Sequence, residues 1–129
     1  MAVTRYHRQM AINALEAPPA RAGLEPAAAL FRSLADPTRL AIIRSLAAGP
    51  ARVVDLTGRL GLAQSTVSKH LACLRECRLV EVRPHGRASV YSLAPPAQPG
   101  LHRLLAAAGD LLAATGDAVA LCPAYGHRR

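Results

Sequence analysis

No stretch of this chain approaches the roughly 18 to 20 consecutive apolar residues that a membrane-spanning helix requires. Its amino end, Met1-Ala2-Val3-Thr4-Arg5-Tyr6-His7-Arg8, lacks the apolar segment of a signal peptide. These two absences predict a cytoplasmic protein without membrane attachment. Acidic residues are also scarce, with 8 Asp and Glu against 16 Lys and Arg, a net charge of +8 and a pI near 10.7. Such an excess points to an anionic partner, and nucleic acid or an anionic membrane surface would both satisfy it. Lys69 is the single lysine, and the Ala-, Arg-, Pro- and Gly-rich composition suggests a GC-rich genome. Cysteine is limited to Cys73, Cys77 and Cys122. An odd number in a reducing compartment argues against a disulfide framework and for thiol or metal chemistry.

What is present, in 129 residues, is enough for one compact domain and too little for two of ordinary size. Residues 1–25, punctuated by Pro18-Pro19 and poor in apolar positions, read as an amino-terminal extension with at most a short helix around Gln9 to Glu16. Regular organisation begins near Pro26, where Ala29, Leu30 and Leu34 follow helical spacing. Asp36-Pro37 supplies an N-cap and an N1 proline for a second helix. Its expected buried stripe is Leu40, Ile43, Leu46 and Ala47, and its stop is Gly49-Pro50. A third helix is expected from Val53 to Leu60 and a fourth from Gln64 to Cys77, joined by the tight turn Leu60-Gly61-Leu62-Ala63. That is the outline of a helix-turn-helix. Val80 to Arg83 and Ser89 to Leu93 read as strands around a turn Pro84-His85-Gly86-Arg87, a hairpin with a basic tip, or wing. The expected fold is thus mainly α with a small β-hairpin, a winged helix-turn-helix over residues 26–99. Residues 100–129 then form a carboxyl-terminal dimerisation helix, Leu101 to about Leu121, and a cysteine-bearing tail. The helix carries Leu101, Leu104, Leu105, Ala108, Leu111, Leu112 and Val119, more apolar surface than one small domain needs to cover. Packing against its own protomer is the other use for that surface.

At about 100° per residue, Val67, Leu71 and Leu74 fall together on the fourth helix as a core stripe, while Ser65 and Lys69 point nearly opposite with Thr66 and Ser68 on the flanks. Hydroxyls, an amide and a cation on the solvent face of a helix start suit base edges and phosphates. Gln64, Ser65, Thr66, Ser68, Lys69 and His70, with Arg83, His85 and Arg87 of the wing, are therefore the candidate contacts to double-stranded DNA. Ala63 is a poor residue for the cap position of this helix.

Cys73 and Cys77 sit about 100° from that stripe, off the face where a cysteine acting as a small hydrophobe would lie. Spaced i, i+4, their sulfurs project from one face and can approach a common ion. Two thiolates make an incomplete site, and Cys122 is the candidate third ligand. Three thiolates select soft ions: Cd(II), Pb(II), Hg(II) or As(III), with Zn(II) accommodated.

Three motifs in order carry a family resemblance. Leu34-Ala35-Asp36-Pro37-Thr38-Arg39, then Leu62-Ala63-Gln64-Ser65-Thr66-Val67-Ser68-Lys69-His70-Leu71, then Gly86-Arg87 before Val90-Tyr91-Ser92-Leu93 resemble the ArsR/SmtB family of winged-helix repressors over about residues 26–121. Within it, His70 to Cys77 is similar to the recognition-helix cysteine pair of actinobacterial cadmium and lead sensors. The resemblance implies a homodimer, joined through its terminal helices, that represses an operator when metal-free and releases it on binding Cd(II) or Pb(II). It also implies that the third cysteine comes from the partner protomer, the role that Cys122 matches in position. Arg52-Val53-Val54-Asp55-Leu56 has no cysteine for an arsenic-type site. Asp110 and Asp117 lack histidines at the spacing of a zinc-type site.

Two other uses of the thiols stay open. In the same fold they would sense oxidation, with Arg75, Arg78 and His70 lowering their pKa. Alternatively, Cys122 and His127 would act as a thiol enzyme, for which the chain offers no oxyanion or base motif.

Overall fold

The computed structural model describes residues 21–116 and 118–126. The expected short helix at Gln9 to Glu16 lies outside these residues, as do His7, Asp117 and His127. The chain divides between Pro37 and Thr38 into two compact units. The first contains α1 (Glu25–Leu34), which has Pro26 in its first turn and Leu34 as its buried residue. Leu30, expected in the core, is exposed, as is Phe31.

The second unit follows from α2 (Pro37–Ala48) onward. Pro37 opens α2, where its fixed φ is preorganised and its missing N–H costs nothing. Gly49, at φ +154°, and Pro50 end it. Its buried residues are Ile42, Ile43 and Leu46, so the inward face is rotated from the expected one: Leu40 is exposed and Ile42 wholly buried. The expectation started its stripe one turn too early.

A two-residue strand, β1 (Ala51–Arg52), leads into α3 (Val53–Leu60). The Asp55 carboxylate reaches back to accept the Arg52 backbone N–H at 3.1 Å, satisfying one donor at the helix start. Gly61, in the left-handed region at φ 64°, ends α3 and donates its N–H to the Thr57 carbonyl at 2.9 Å. Three residues after α3 comes α4 (Gln64–Glu76). Leu56 of α3 and Val67, Leu71 and Leu74 of α4 are all fully buried, which fixes the two helices as one helix-turn-helix. Each such side chain contributes about 1.5 to 3 kcal/mol relative to exposure.

The end of α4 is a Schellman turn. Leu79 N–H bonds the Leu74 carbonyl at 3.0 Å and Arg78 N–H bonds that of Arg75 at 2.9 Å. Leu74 and Leu79, both buried, supply the accompanying apolar pair. Arg78 occupies the left-handed position, φ 59°, where glycine is usual.

Strands β2 (Val80–His85) and β3 (Ala88–Leu93) follow as the expected hairpin, and β1 pairs with β3 to extend it to a three-stranded antiparallel sheet of order β1-β3-β2. The hairpin turn is shorter than expected. Pro84 pairs with Ser89 and His85 with Ala88, leaving only Gly86-Arg87 as the loop, with Gly86 at φ 62°. Proline is tolerated there because β2 is an edge strand, and a positive φ at the first of two loop residues matches the twist of a type II′ hairpin.

Last comes α5 (Gln98–Ala114), shifted from the expected Leu101–Leu121. Pro99 fits within its first turn, as Pro26 does in α1, and Gly116, left-handed at φ 58°, stops it early. Leu101 is its buried residue. Leu104 and Leu105 are half-buried, and Leu111 and Leu112 are exposed, so the carboxyl-terminal half of this helix leaves its leucines uncovered. Among the described residues no helix is long and apolar enough to cross a membrane. The whole is a winged helix-turn-helix.

Candidate nucleic-acid interface and thiol site

Burial of Val67, Leu71 and Leu74 leaves the opposite face of α4 to solvent. Gln64, Ser65, Ser68 and Lys69 are exposed there, with Thr66 and His70 half-buried beside them. Ala63, in extended conformation, provides no side-chain bond to the helix start. On the wing, Arg83, His85 and Arg87 are all exposed. Arg83 differs from the other two: its Nε lies 3.0 Å from Oε1 of Glu81, two residues away on the same face of β2. That carboxylate sits near the start of β2, behind the basic tip, and the sequence reading passed over it. Its signal was the i, i+2 spacing of opposite charges along one strand face.

The thiol pair lies at the other end of the same helix. Cys73 is half-buried in the last turn and Cys77 is exposed at the C-cap. The two side chains are close enough to hydrogen-bond. The Cys77 thiol is pushed above the ordinary range, first by partial burial and then by the charge and hydrogen bond of Cys73, with Glu76 adding to both. The cation that opposes this is Arg39 of α2. The expected acidification by Arg75, Arg78 and His70 is therefore absent at Cys77, because desolvation first, then the second thiol and Glu76, outweigh Arg39. A thiol held above its ordinary range, as at Cys77, is a poor redox trigger. Cys73 and Cys77, one turn apart at the end of α4, can approach a common cation.

Cys122 lies elsewhere, half-buried in the turns that follow α5. Among the described residues no group of three His, Cys, Asp or Glu side chains comes together within the chain. The structure thus unites Cys73 with Cys77 and does not bring Cys122 to them in one protomer.

Comparison with known proteins identifies the family of the chain. The profile of the family described as "Bacterial regulatory protein, arsR family" matches residues 36–82, from the start of α2 into β2. The "HTH-type transcriptional regulator CmtR" of Mycobacterium tuberculosis is 48% identical over 67 residues, 52% of this chain and 57% of that protein. The match therefore spans little more than half of that regulator's length. The "Probable mercury resistance operon repressor" of Streptomyces lividans is 33% identical over 102 residues, covering 79% of this chain and 82% of that one. Among solved structures, that of M. tuberculosis Rv0081 superimposes with a TM-score of 0.64 at 34% identity, over 70% of this chain and 89% of its own. The two sequence relatives are named as a transcriptional regulator and a repressor, and the chain belongs to the arsR family of bacterial regulatory proteins.

Proposed function

We propose that this chain is a metal-responsive repressor. It binds operator DNA as a homodimer through α4 and the wing, and releases it when a thiophilic ion is held by Cys73 and Cys77 of one protomer and Cys122 of its partner. The observation that carries this reading is the sharing of one helix by two functions: Gln64, Ser65, Ser68 and Lys69 are exposed along its amino-terminal half and the thiol pair stands at its carboxyl end. A ligand at Cys73 and Cys77 acts directly on the element that reads DNA.

The donor set fits a soft metal, since two neighbouring thiols supply two of the three ligands such an ion takes. The exposed Leu111 and Leu112 of α5, just before the Cys122 tail, support assembly through that helix. Assembly would carry a cysteine from a second protomer toward the first. Cd(II) and Pb(II) are the favoured inducers on the resemblance of the His70 to Cys77 segment to cadmium and lead sensors. Hg(II) is supported by the name of the S. lividans relative. Tying the reading helix to a partner's tail alters the spacing of the two reading helices, which must match half-sites about one DNA turn apart. Coupling in the ordinary range of about 1 to 3 kcal/mol lowers operator affinity roughly 5- to 150-fold, and DNA weakens metal binding by the same factor.

A gel-shift titration with Cd(II) tests the reading on the wild type and on Cys73→Ser, Cys77→Ser and Cys122→Ser. Each variant should need more Cd(II) to release DNA. Release by all three at wild-type concentrations refutes the site.

A further inference from the structure

We infer that Gly126 is a positioning residue for Cys122: the glycine lets the tail close into a loop that holds this cysteine ready for metal, and a side chain at 126 would open it. The inference rests on the assignment of Cys122 as a ligand.

The tail is built from turns after α5 stops at Gly116. Ala118 N–H bonds the Thr115 carbonyl at 3.2 Å, and Cys122 N–H bonds that of Val119 at 3.2 Å. Gly126 N–H then bonds the Cys122 carbonyl at 2.7 Å. Both backbone polar groups of Cys122 are thereby engaged, one to the residue three before it and one to the residue four after it. Closure requires residue 126 to come against the chain. A Cβ there would collide with the carbonyl oxygen of Ala120 and stand 2.7 Å from that of Cys122 and 2.8 Å from the carbonyl carbon of Ala120. All three are backbone atoms, which cannot rotate away as the end of a flexible side chain would. No other described glycine in the second unit has any atom within 4 Å of such a Cβ. Gly126 is therefore there for close approach, whereas Gly61, Gly86 and Gly116 serve left-handed turns.

The loop is a surface feature. Leu121 and Tyr125 are 79% and 88% exposed, so opening it leaves the core of α2, α3 and α4 intact. What it removes is the fixed placement of one sulfur. Groups that orient a metal ligand without touching the metal typically contribute roughly 10 to 100-fold in affinity.

The test compares wild type, Gly126→Ala, Cys122→Ser and the double variant by Cd(II) titration, reading the ultraviolet thiolate-to-metal absorbance, affinity, thermal midpoint and metal-free operator binding. For Gly126→Ala we expect loss of roughly a third of the band, as one of three thiolates is withdrawn, and affinity reduced roughly 10 to 100-fold. The thermal midpoint and operator binding should be unchanged, and the double variant no weaker than Cys122→Ser. Faster maleimide labelling of Cys122 in metal-free Gly126→Ala would support the opened loop. Wild-type band and affinity in Gly126→Ala, with Cys122→Ser impaired, overturn the role of Gly126 and leave the metal site standing. Unimpaired Cys122→Ser overturns the site assignment and this inference with it. Loss of operator binding or a lowered midpoint in Gly126→Ala shows a global effect and also overturns it.

Discussion

Replacing Glu81 by Gln should tighten operator binding, because it frees the wing arginine most encumbered by the protein's own charge. Arg83 Nε lies 3.0 Å from Glu81 Oε1, and the two side chains are 74% and 31% exposed. A pair so open to water contributes about 0.2 to 1 kcal/mol, and with Arg83 the more exposed partner we take about 0.5 kcal/mol for each protomer. A phosphate contact by Arg83 must displace that interaction, so a dimer with two wings forgoes about 1 kcal/mol, equivalent to roughly fivefold in affinity. Fluorescence anisotropy with an operator duplex at several salt concentrations measures both consequences. Glu81→Gln should bind roughly fivefold tighter at low salt. The slope of log K against log salt should stay near the wild-type value, because Arg83 contacts phosphate in both proteins. In an Arg83→Gln background the same change should add nothing from the pair, as a double-mutant cycle requires. If Glu81→Gln leaves affinity unaltered while Arg83→Gln weakens binding, the pair does not compete with DNA and the reasoning fails.

Further expectations concern stability and titration. Arg78→Gly should stabilise the fold by about 0.5 to 1 kcal/mol, by relieving a left-handed residue at the end of α4, whereas Gly61→Ala, at an equivalent φ, should destabilise it by about 1 kcal/mol; urea unfolding of both variants would expose any error in sign. Leu71→Ala removes a wholly buried side chain and should cost about 2 to 5 kcal/mol, and a loss near zero would show that α4 is not packed as described. The Asp55 carboxyl is held below its usual range by its hydrogen bonds to the Arg52 side chain and backbone. Its stabilising contribution is therefore present above the ordinary carboxylate pKa and lost as pH falls through the lowered folded value. Wild type and Asp55→Asn should differ at neutral pH and converge in acid, and a constant difference would contradict this. Since the folded protein raises the Cys77 pKa, iodoacetamide should modify Cys77 in a Cys73- and Cys122-intact, metal-free sample with an inflection more alkaline than that of an unfolded cysteine. An inflection on the acid side would return the redox reading to favour.

The reading helix was fully legible in the sequence because one element carried three independent signals: the Val67, Leu71, Leu74 period, the polar face opposite it, and the glycine turn before it. Helix α3 was equally plain, bounded by Pro50 before it and Gly61 after. Where patterns were shared between elements, the reading slipped. Leu40 and Ile42 both fit a helical stripe on α2, and only packing chooses between them. Pro84 looked like a turn residue because its place on an edge strand depends on a neighbour that is absent on one side. β1 has two residues, too few to show any alternation, and exists only through its register with Tyr91 and Val90. Of the site, the adjacency of Cys73 and Cys77 followed from helix geometry alone. The influence of Arg39 on Cys77 and the pairing of Glu81 with Arg83 did not. The first links residues 38 positions apart, and the second depends on side-chain conformation. The exposed Leu30, Leu111 and Leu112 were read as buried or as dimer surface from hydrophobicity alone, and a single protomer leaves them in water.

The two ends of the reading helix are fastened differently, and the asymmetry bears on how it would meet DNA. Its carboxyl end is locked by two Schellman hydrogen bonds, and Leu79 is further joined to Ala94 by an N–H to carbonyl bond of 2.9 Å. Its amino end begins after Ala63, with no side chain to accept from the first turn. Fraying therefore starts at the residues proposed to contact the operator, while the residues bearing the thiols stay fixed to the sheet. A phosphate oxygen at the amino end would supply the acceptor that Ala63 lacks, so operator binding would include the ordering of that first turn. Part of the affinity would then be an ordering transition, and Ala63→Ser, which orders the turn beforehand, would shift the balance between free and bound protein without adding a contact to DNA.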